Sequence, residues 1–232
     1  MVTVKGLEKF APKDFPGFIA STVFLGGCNF RCPYCHNAEL VLRPERLADI
    51  PMEFFLAYLD SRKGWLEGIC VTGGEPLLAE EIEIFLTVIK QRGLLIKLDT
   101  NGSRPDRLES LLAEGLVDRI AMDIKAPLER YREVTGSRVN ADDIARSASI
   151  LRESGLPHLF RTTVVPGLIG VEDIEAIGRW LEGAAVYQVQ QFSPVGTLDA
   201  EYRRIKPYSR DEVKRLADAA RPFFGEVRIE GI

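Results

Sequence analysis

The chain has 232 residues, 46% hydrophobic and 28% charged, enough for a sizeable core in one α/β unit. A net charge of −4 with no broad basic stretch argues against nucleic acid as a partner; the short run Arg203–Arg210 reads as a solvated loop and helix start. No run approaches the roughly 18 apolar residues of a membrane span, and the start MVTVKGLEKF lacks an apolar leader core, so a cytoplasmic protein with no membrane partner is expected.

Short apolar or β-branched runs alternate with longer amphipathic stretches. Val2–Leu7 and the turn-rich PKDFPGF segment lead in. Ile19–Leu25 predicts a strand, with a helix over Met52–Arg62. Further strand and helix pairs follow at Gly68–Thr72 and Ala79–Arg92, Leu94–Leu98 and Asp106–Glu114, and Arg119–Ile124 and Ala141–Glu153. The last two are Leu159–Val165 with Val171–Leu181 and Ala185–Phe192 with Ser209–Phe223, before a final run Glu226–Ile229. Such alternation requires parallel strands joined by right-handed helical crossovers. Six units fit the length, whereas eight need about 250 residues. The predicted fold is α/β: a partial (β/α)6 barrel of parallel strands with helices outside and small N- and C-terminal additions. One domain is expected, with its core at about 18–194, a lead-in over 1–17 and a C-terminal helix and strand over 195–232.

Active sites of parallel α/β folds gather at the C-terminal ends of strands. Each predicted strand here carries polar or glycine-rich chemistry at or near its exit. The first is followed by Gly26-Gly27-Cys28 and the run to Cys32, Cys35, His36 and Asn37. The next exits carry Gly73-Gly74-Glu75-Pro76, Asp99-Thr100-Asn101-Gly102 and Asp123-Ile124-Lys125. The fifth strand carries Arg161-Thr162-Thr163 and the sixth Gln188, Gln190 and Gln191.

Cys28, Cys32 and Cys35 are spaced Cys-x3-Cys-x2-Cys, and three thiolates on one loop suit a soft metal or an iron–sulfur cluster. A structural zinc site normally takes four protein ligands. The one other cysteine, Cys70, lies inside an apolar strand and is expected to be a small buried hydrophobe. His36 adjoins Cys35 and makes an awkward fourth ligand. Three cysteines on a cubane leave one iron open to a ligand. A zinc or iron–sulfur binding module without catalysis is the non-enzymatic alternative.

With Cys28-Asn29-Phe30-Arg31-Cys32-Pro33-Tyr34-Cys35 and Gly73-Gly74-Glu75-Pro76, the chain resembles the radical SAM superfamily. The resemblance implies a [4Fe–4S] cluster on Cys28, Cys32 and Cys35, with S-adenosylmethionine (SAM) chelating the open iron. Gly73 and Gly74 would let the backbone approach SAM and Glu75 would accept from its ammonium. Tyr34 would lie beside the adenine, Asp99 and Asn101 would reach the ribose or methionine end, and Lys125 and Arg161 would meet the carboxylate.

Within the superfamily, Asp14-Phe15-Pro16-Gly17, Phe24 through Asn37, Asp99-Thr100-Asn101-Gly102, Asp123-Ile124-Lys125 and Arg161 through Gly167 resemble activating enzymes of glycyl radical enzymes. They are most similar to the activating proteins of anaerobic ribonucleoside-triphosphate reductase. This implies an oxidoreductase that takes an electron from flavodoxin or ferredoxin, forms a 5′-deoxyadenosyl radical and abstracts hydrogen from a partner's glycine. A small-molecule or other peptide substrate is the alternative. The resemblance also implies a monovalent cation held by Asp99, Thr100, Asp123 and the carbonyl of Ala121, unless Asp99 and Asp123 only order loops or pair with Lys125. With no second cysteine-rich insertion, the compact subgroup is indicated. No histidine stands at Gly167-Leu168-Ile169-Gly170, and His158 is expected in a solvent-facing loop.

Overall fold

Eight strands form one sheet whose spatial order follows the chain, β1 to β8. A computed structural model describes residues 2–232. The strands are β1 (Val4–Glu8), β2 (Ala20–Leu25), β3 (Gly68–Gly73), β4 (Leu95–Thr100), β5 (Arg119–Asp123), β6 (His158–Val164), β7 (Val186–Gln191) and β8 (Glu226–Glu230). The helices are α1 (Ala38–Leu42), α2 (Met52–Ser61), α3 (Ile82–Lys90), α4 (Pro105–Ala113), α5 (Tyr131–Thr135), α6 (Ala141–Glu153), α7 (Val171–Trp180) and α8 (Arg210–Ala220). β1 runs antiparallel to β2, whereas β2–β3, β3–β4, β6–β7 and β7–β8 pair in parallel. The order begins at β1 and ends at β8, so the sheet is open, as the partial-barrel expectation requires. No helix among the described residues is long and apolar enough to cross a membrane.

The chain divides into two compact units: Met1–Asn29, Glu39–Thr100 and Arg104–Ile120 form the first, and Phe30–Ala38, Asn101–Ser103 and Ala121–Ile232 the second. In the first, Val23, Ile69, Val71, Ile96 and Leu98 lie buried on one face of β2–β4, and Phe55 of α2 stacks on Phe85 of α3 at 5.5 Å. Each such side chain contributes about 1.5–3 kcal/mol when fully buried. On the other face, Thr22, Cys70 and Lys97 stand in one register row. The lead-in closes the start of these strands. Phe15 is buried against Gly68, where an added Cβ would come within 2.8 Å of its ring, and the Arg119 guanidinium lies 5.3 Å from its centroid.

In the second unit, Phe160, Thr162, Val164, Tyr187 and Val189 are buried, and Tyr187 stacks on Phe224 at 4.4 Å. The alternate residues form polar rows on the opposite face: Arg161, Gln188 and Arg228, then Thr163, Gln190 and Glu230.

The predicted core elements all form, with ends displaced by a few residues. The helix expected from Ala79 instead opens as a 3-10 turn at Pro76–Leu78, because Pro76 presets the turn and the Glu75 carboxylate caps it through the Leu77 N–H; α3 begins only at Ile82. The periodicity did not mark the short helices α1 and α5. His158 is not in a loop: it opens β6, its ring lies edge-on to Phe160 at 5.5 Å, and its Nδ1 lies 2.8 Å from the Leu156 carbonyl oxygen.

Candidate active site

The cysteine run leaves β2 through Gly26 and Gly27, where the Gly27 N–H donates to the Leu40 carbonyl at 2.8 Å. Cys28 belongs to the first unit, Cys32 and Cys35 to the second. None of the four cysteines is in a disulfide; Cys32 and Cys70 are buried, Cys28 and Cys35 half-buried. Backbone bonds pin the second-unit stretch from both flanks. The Arg31 N–H donates to the Thr135 carbonyl, the Asp199 N–H to that of Pro33, and the Leu198 N–H to that of Cys35, each at 2.9 Å. The Cys35 N–H closes a turn onto the Cys32 carbonyl at 3.0 Å. Among the described residues, no three His, Cys, Asp or Glu side chains form a group that could hold a metal ion. The donor chemistry suits an iron–sulfur cluster all the same: three unoxidised soft ligands on a short loop with a fixed backbone.

In the first unit, the exits of β3 and β4 lock together. The Gly74 N–H donates to the Leu25 carbonyl at 2.9 Å and the Glu75 N–H to the Gly27 carbonyl at 2.8 Å. Gly73 has φ +127°, and a Cβ there would overlap the Leu25 backbone; a Cβ on Gly74 would overlap the Gly27 carbonyl. Both glycines are therefore required by the approach of the strand-exit backbones as well as available to a ligand. Glu75 is almost wholly buried, and its Oε1 accepts from Thr100 Oγ1 at 2.7 Å and from the Leu77 N–H at 3.0 Å. Asp99 is ion-paired with Lys97, and Cys70 Sγ lies 3.7 Å from Asp99 Oδ1 and 3.6 Å from Lys97 Nζ. Cys70 is thus buried, as expected, but in charged rather than apolar company. The expected monovalent-cation ligand Asp99 already faces an ammonium of its own chain.

In the second unit, Asp123 at the end of β5 receives Arg161 Nε at 2.6 Å and Lys125 Nζ at 2.9 Å. Burial opposes its ionisation, but Arg161 and then Lys125 outweigh burial and hold the carboxyl well below the usual range. Burial opposes the charge on Lys125 too, and Asp123 more than restores it. Tyr34 is buried and its hydroxyl has no hydrogen-bond partner. Burial, then Cys32, raises its pKa well above the ordinary phenol value. Burial, then Lys125, pushes His36 down, which favours the neutral ring. The Lys125 N–H donates to the Tyr131 hydroxyl at 3.1 Å, and the Tyr131 ring meets Phe30 edge-on at 6.4 Å, tying the cation cluster to the cysteine loop. Asn101 is buried and its Oδ1 accepts from the Ser103 N–H at 2.9 Å.

The structure thus groups Gly73, Gly74, Glu75, Asp99 and Thr100 in one unit and Tyr34, Asp123, Lys125 and Arg161 in the other. Sequence reasoning missed Lys97, Tyr131 and the Leu198–Asp199 strap. Lys97 had a signal, a charged residue in an apolar strand two positions before Asp99 and so on its face. Tyr131 and the strap had none: Tyr131 meets a backbone N–H and a ring 101 residues away, and the strap bonds through backbone amides over more than 160 residues.

The radical SAM superfamily model matches residues 22–181. A Methanocaldococcus jannaschii protein provisionally named a glycyl-radical enzyme activating enzyme is 29% identical over 99% of this chain and 96% of its own. The pyruvate formate-lyase-activating enzyme of Streptococcus mutans is 30% identical over 91% of this chain and 84% of its own. Among solved structures, Streptococcus suis SuiB bound to S-adenosylmethionine superposes with a TM-score of 0.67 at 18% identity, over 88% of this chain and 48% of that one, about half its length. A domain of a pyruvate-formate lyase-activating enzyme from Bacteroides vulgatus gives 0.57 at 15% identity, over 71% and 99%. These two show the shared fold. The chain belongs to the radical SAM superfamily and, within it, to the family of glycyl-radical-enzyme activating enzymes.

Proposed function

We propose that this protein holds a [4Fe–4S] cluster on Cys28, Cys32 and Cys35, binds SAM beside it, and generates a glycyl radical on a partner enzyme such as anaerobic ribonucleotide reductase. The observation that carries this is the set of three cysteines, none in a disulfide, in the Cys-x3-Cys-x2-Cys spacing, in a chain related over almost its whole length to an activating enzyme. When bound, the cluster and SAM supply a 5′-deoxyadenosyl radical by one-electron cleavage of the sulfonium S–C5′ bond.

The chain's own groups divide the remaining work. Lys125 and Arg161, both held by Asp123, suit the SAM carboxylate, and Arg161 has the planar guanidinium that pairs with carboxylates. The buried Tyr34 hydroxyl is an unmet polar group that a nucleoside can satisfy, while its ring offers a flat face to a base. Gly73 and Gly74 keep the β3 exit free of side chains. Glu75 and Thr100 fix each other, and Thr100 leads into Asn101, the residue assigned to the ribose or methionine end. The polar face of Arg161, Gln188, Arg228, Thr163, Gln190 and Glu230 offers amide and charged groups to a polypeptide loop. Cysteines outside disulfides fit a reducing cytoplasm, where flavodoxin or ferredoxin is the natural low-potential donor.

The test is anaerobic reconstitution with iron and sulfide, reduction and addition of SAM with a candidate partner. Formation of 5′-deoxyadenosine together with a glycyl radical on the partner, seen by electron paramagnetic resonance, is expected. A colourless protein that binds zinc and cleaves no SAM would overturn the proposal.

A further inference from the structure

We infer that Lys97 supplies from within the chain the positive charge that a bound monovalent cation would bring to Asp99, so that SAM binding and cleavage here need no such ion. The inference rests on the SAM site proposed above. It starts from β4, which puts Lys97 and Asp99 two residues apart and hence on one face. The Lys97 side chain is only 4% exposed and that of Asp99 12%, and the two are ion-paired. An ammonium carried that far from water is costly unless it is paired. On β3, Cys70 stands in register with Lys97, its sulfur 3.6 Å from Nζ and 3.7 Å from Asp99 Oδ1, and seals the flank of the pair.

The pair sums to zero (−1 + 1). A sodium or potassium ion approaching Asp99 would meet an ammonium already seated on Oδ1, and like charges in a poorly solvated site repel strongly. A primary ammonium and a potassium ion do the same work here: one positive charge presented to oxygen ligands. The tethered ammonium loses no translational freedom on arrival and does not depend on salt concentration. The other expected ligand in this unit, Thr100, donates its hydroxyl to Glu75. In the second unit, Asp123 already has Lys125 and Arg161. Each expected anionic ligand is thus neutralised by cations of its own unit. Lys97 is a positioning residue: it fixes the charge and orientation of Asp99, next to Thr100 and Asn101.

The experiment compares the reconstituted full-length enzyme in potassium, sodium and choline chloride at equal ionic strength. It reads the SAM dissociation constant and the rate of 5′-deoxyadenosine formation. The reconstituted protein, its cysteines occupied by the cluster, is titrated in parallel with thallium(I) nitrate, followed by thallium NMR. For the natural chain, both SAM quantities should agree within about twofold across the salts, and no bound thallium should be seen. In Lys97→Met, Asp99 loses its ammonium partner and a monovalent ion can take that place: SAM should bind at least tenfold more weakly in choline than in potassium, and bound thallium should become visible. A tenfold loss for the natural chain in choline, or bound thallium on it, would overturn the inference. So would a folded Lys97→Met protein indifferent to the salt. Should that variant not fold, the natural chain's salt and thallium responses decide alone. A natural chain that neither binds nor cleaves SAM even in potassium would instead bring down the site proposal beneath it.

Discussion

The two units treat their charged groups in opposite ways. In the first, Lys97 pairs with Asp99, and Thr100 donates to Glu75; charge is balanced and a carboxylate oxygen already satisfied. In the second, Lys125 and Arg161 outnumber Asp123, and the buried Tyr34 hydroxyl has no partner. Desolvation makes unmet groups costly, so the difference marks where a ligand is to supply what the protein withholds. The first unit provides a frame of fixed polar contacts, and the second gathers two cations on one carboxylate and leaves the Tyr34 hydroxyl without a partner. The carboxylate of SAM complements the two cations of the second unit, and its nucleoside complements the Tyr34 hydroxyl.

The comparison can be broken most severely at the cysteines. Replacing Cys28, Cys32 or Cys35 with Ala should remove the iron–sulfur absorption and abolish 5′-deoxyadenosine formation, while Cys70→Ala should leave iron and sulfide content intact; chemical iron analysis checks both. Next come the glycines of the frame. Gly73→Ala or Gly74→Ala should cost at least about 2 kcal/mol by urea denaturation, through a strained backbone and overlap with neighbouring carbonyls. The internal pairing follows. Lys97→Met should cost about 3 kcal/mol in choline by breaking the buried pair with Asp99, and Lys97→Met with Asp99→Asn should recover part of that loss. Lys125→Met should cost only about 1 kcal/mol, because Arg161 still faces Asp123, yet should weaken SAM binding more than it weakens the fold. A stability loss at Lys125 as large as that at Lys97 would erase the distinction between the units.

The smallest effect is in acid. Asp123 has its folded pKa held down, so its stabilising contribution is fully present above the ordinary aspartate value of about 3.9. It should fade as pH falls below that value toward the depressed folded one. Asp123→Asn should remove this part of the acid slope in denaturation curves measured between neutral pH and about pH 2.5.

Much of this was legible in the sequence because it depended on local pattern. The alternation of apolar runs and amphipathic stretches located the six central strands, and the Cys-x3-Cys-x2-Cys spacing located the thiols. What failed depended on contacts across the chain. His158 looked like a loop residue because it stands just before the predicted strand Leu159–Val165, yet β6 starts there and its ring packs on Phe160. Cys70 looked like a plain core residue because its strand is apolar, but register with Lys97 puts it in charged surroundings. Pairing of Asp123 with Lys125, two residues on, is among the readings the sequence offers; its partnership with Arg161, 38 residues on, is not. The strap at Leu198 and Asp199 could not be foreseen, since backbone amides carry no side-chain signature.

The most direct test of the central claim is electron paramagnetic resonance of a candidate glycyl radical enzyme incubated with this protein, reconstituted and reduced, and SAM. A glycyl radical that appears on the partner only when all three components are present, with 5′-deoxyadenosine formed alongside, is the predicted result. Continued 5′-deoxyadenosine formation with no glycyl radical on any such partner, and instead a consumed small molecule, would contradict it.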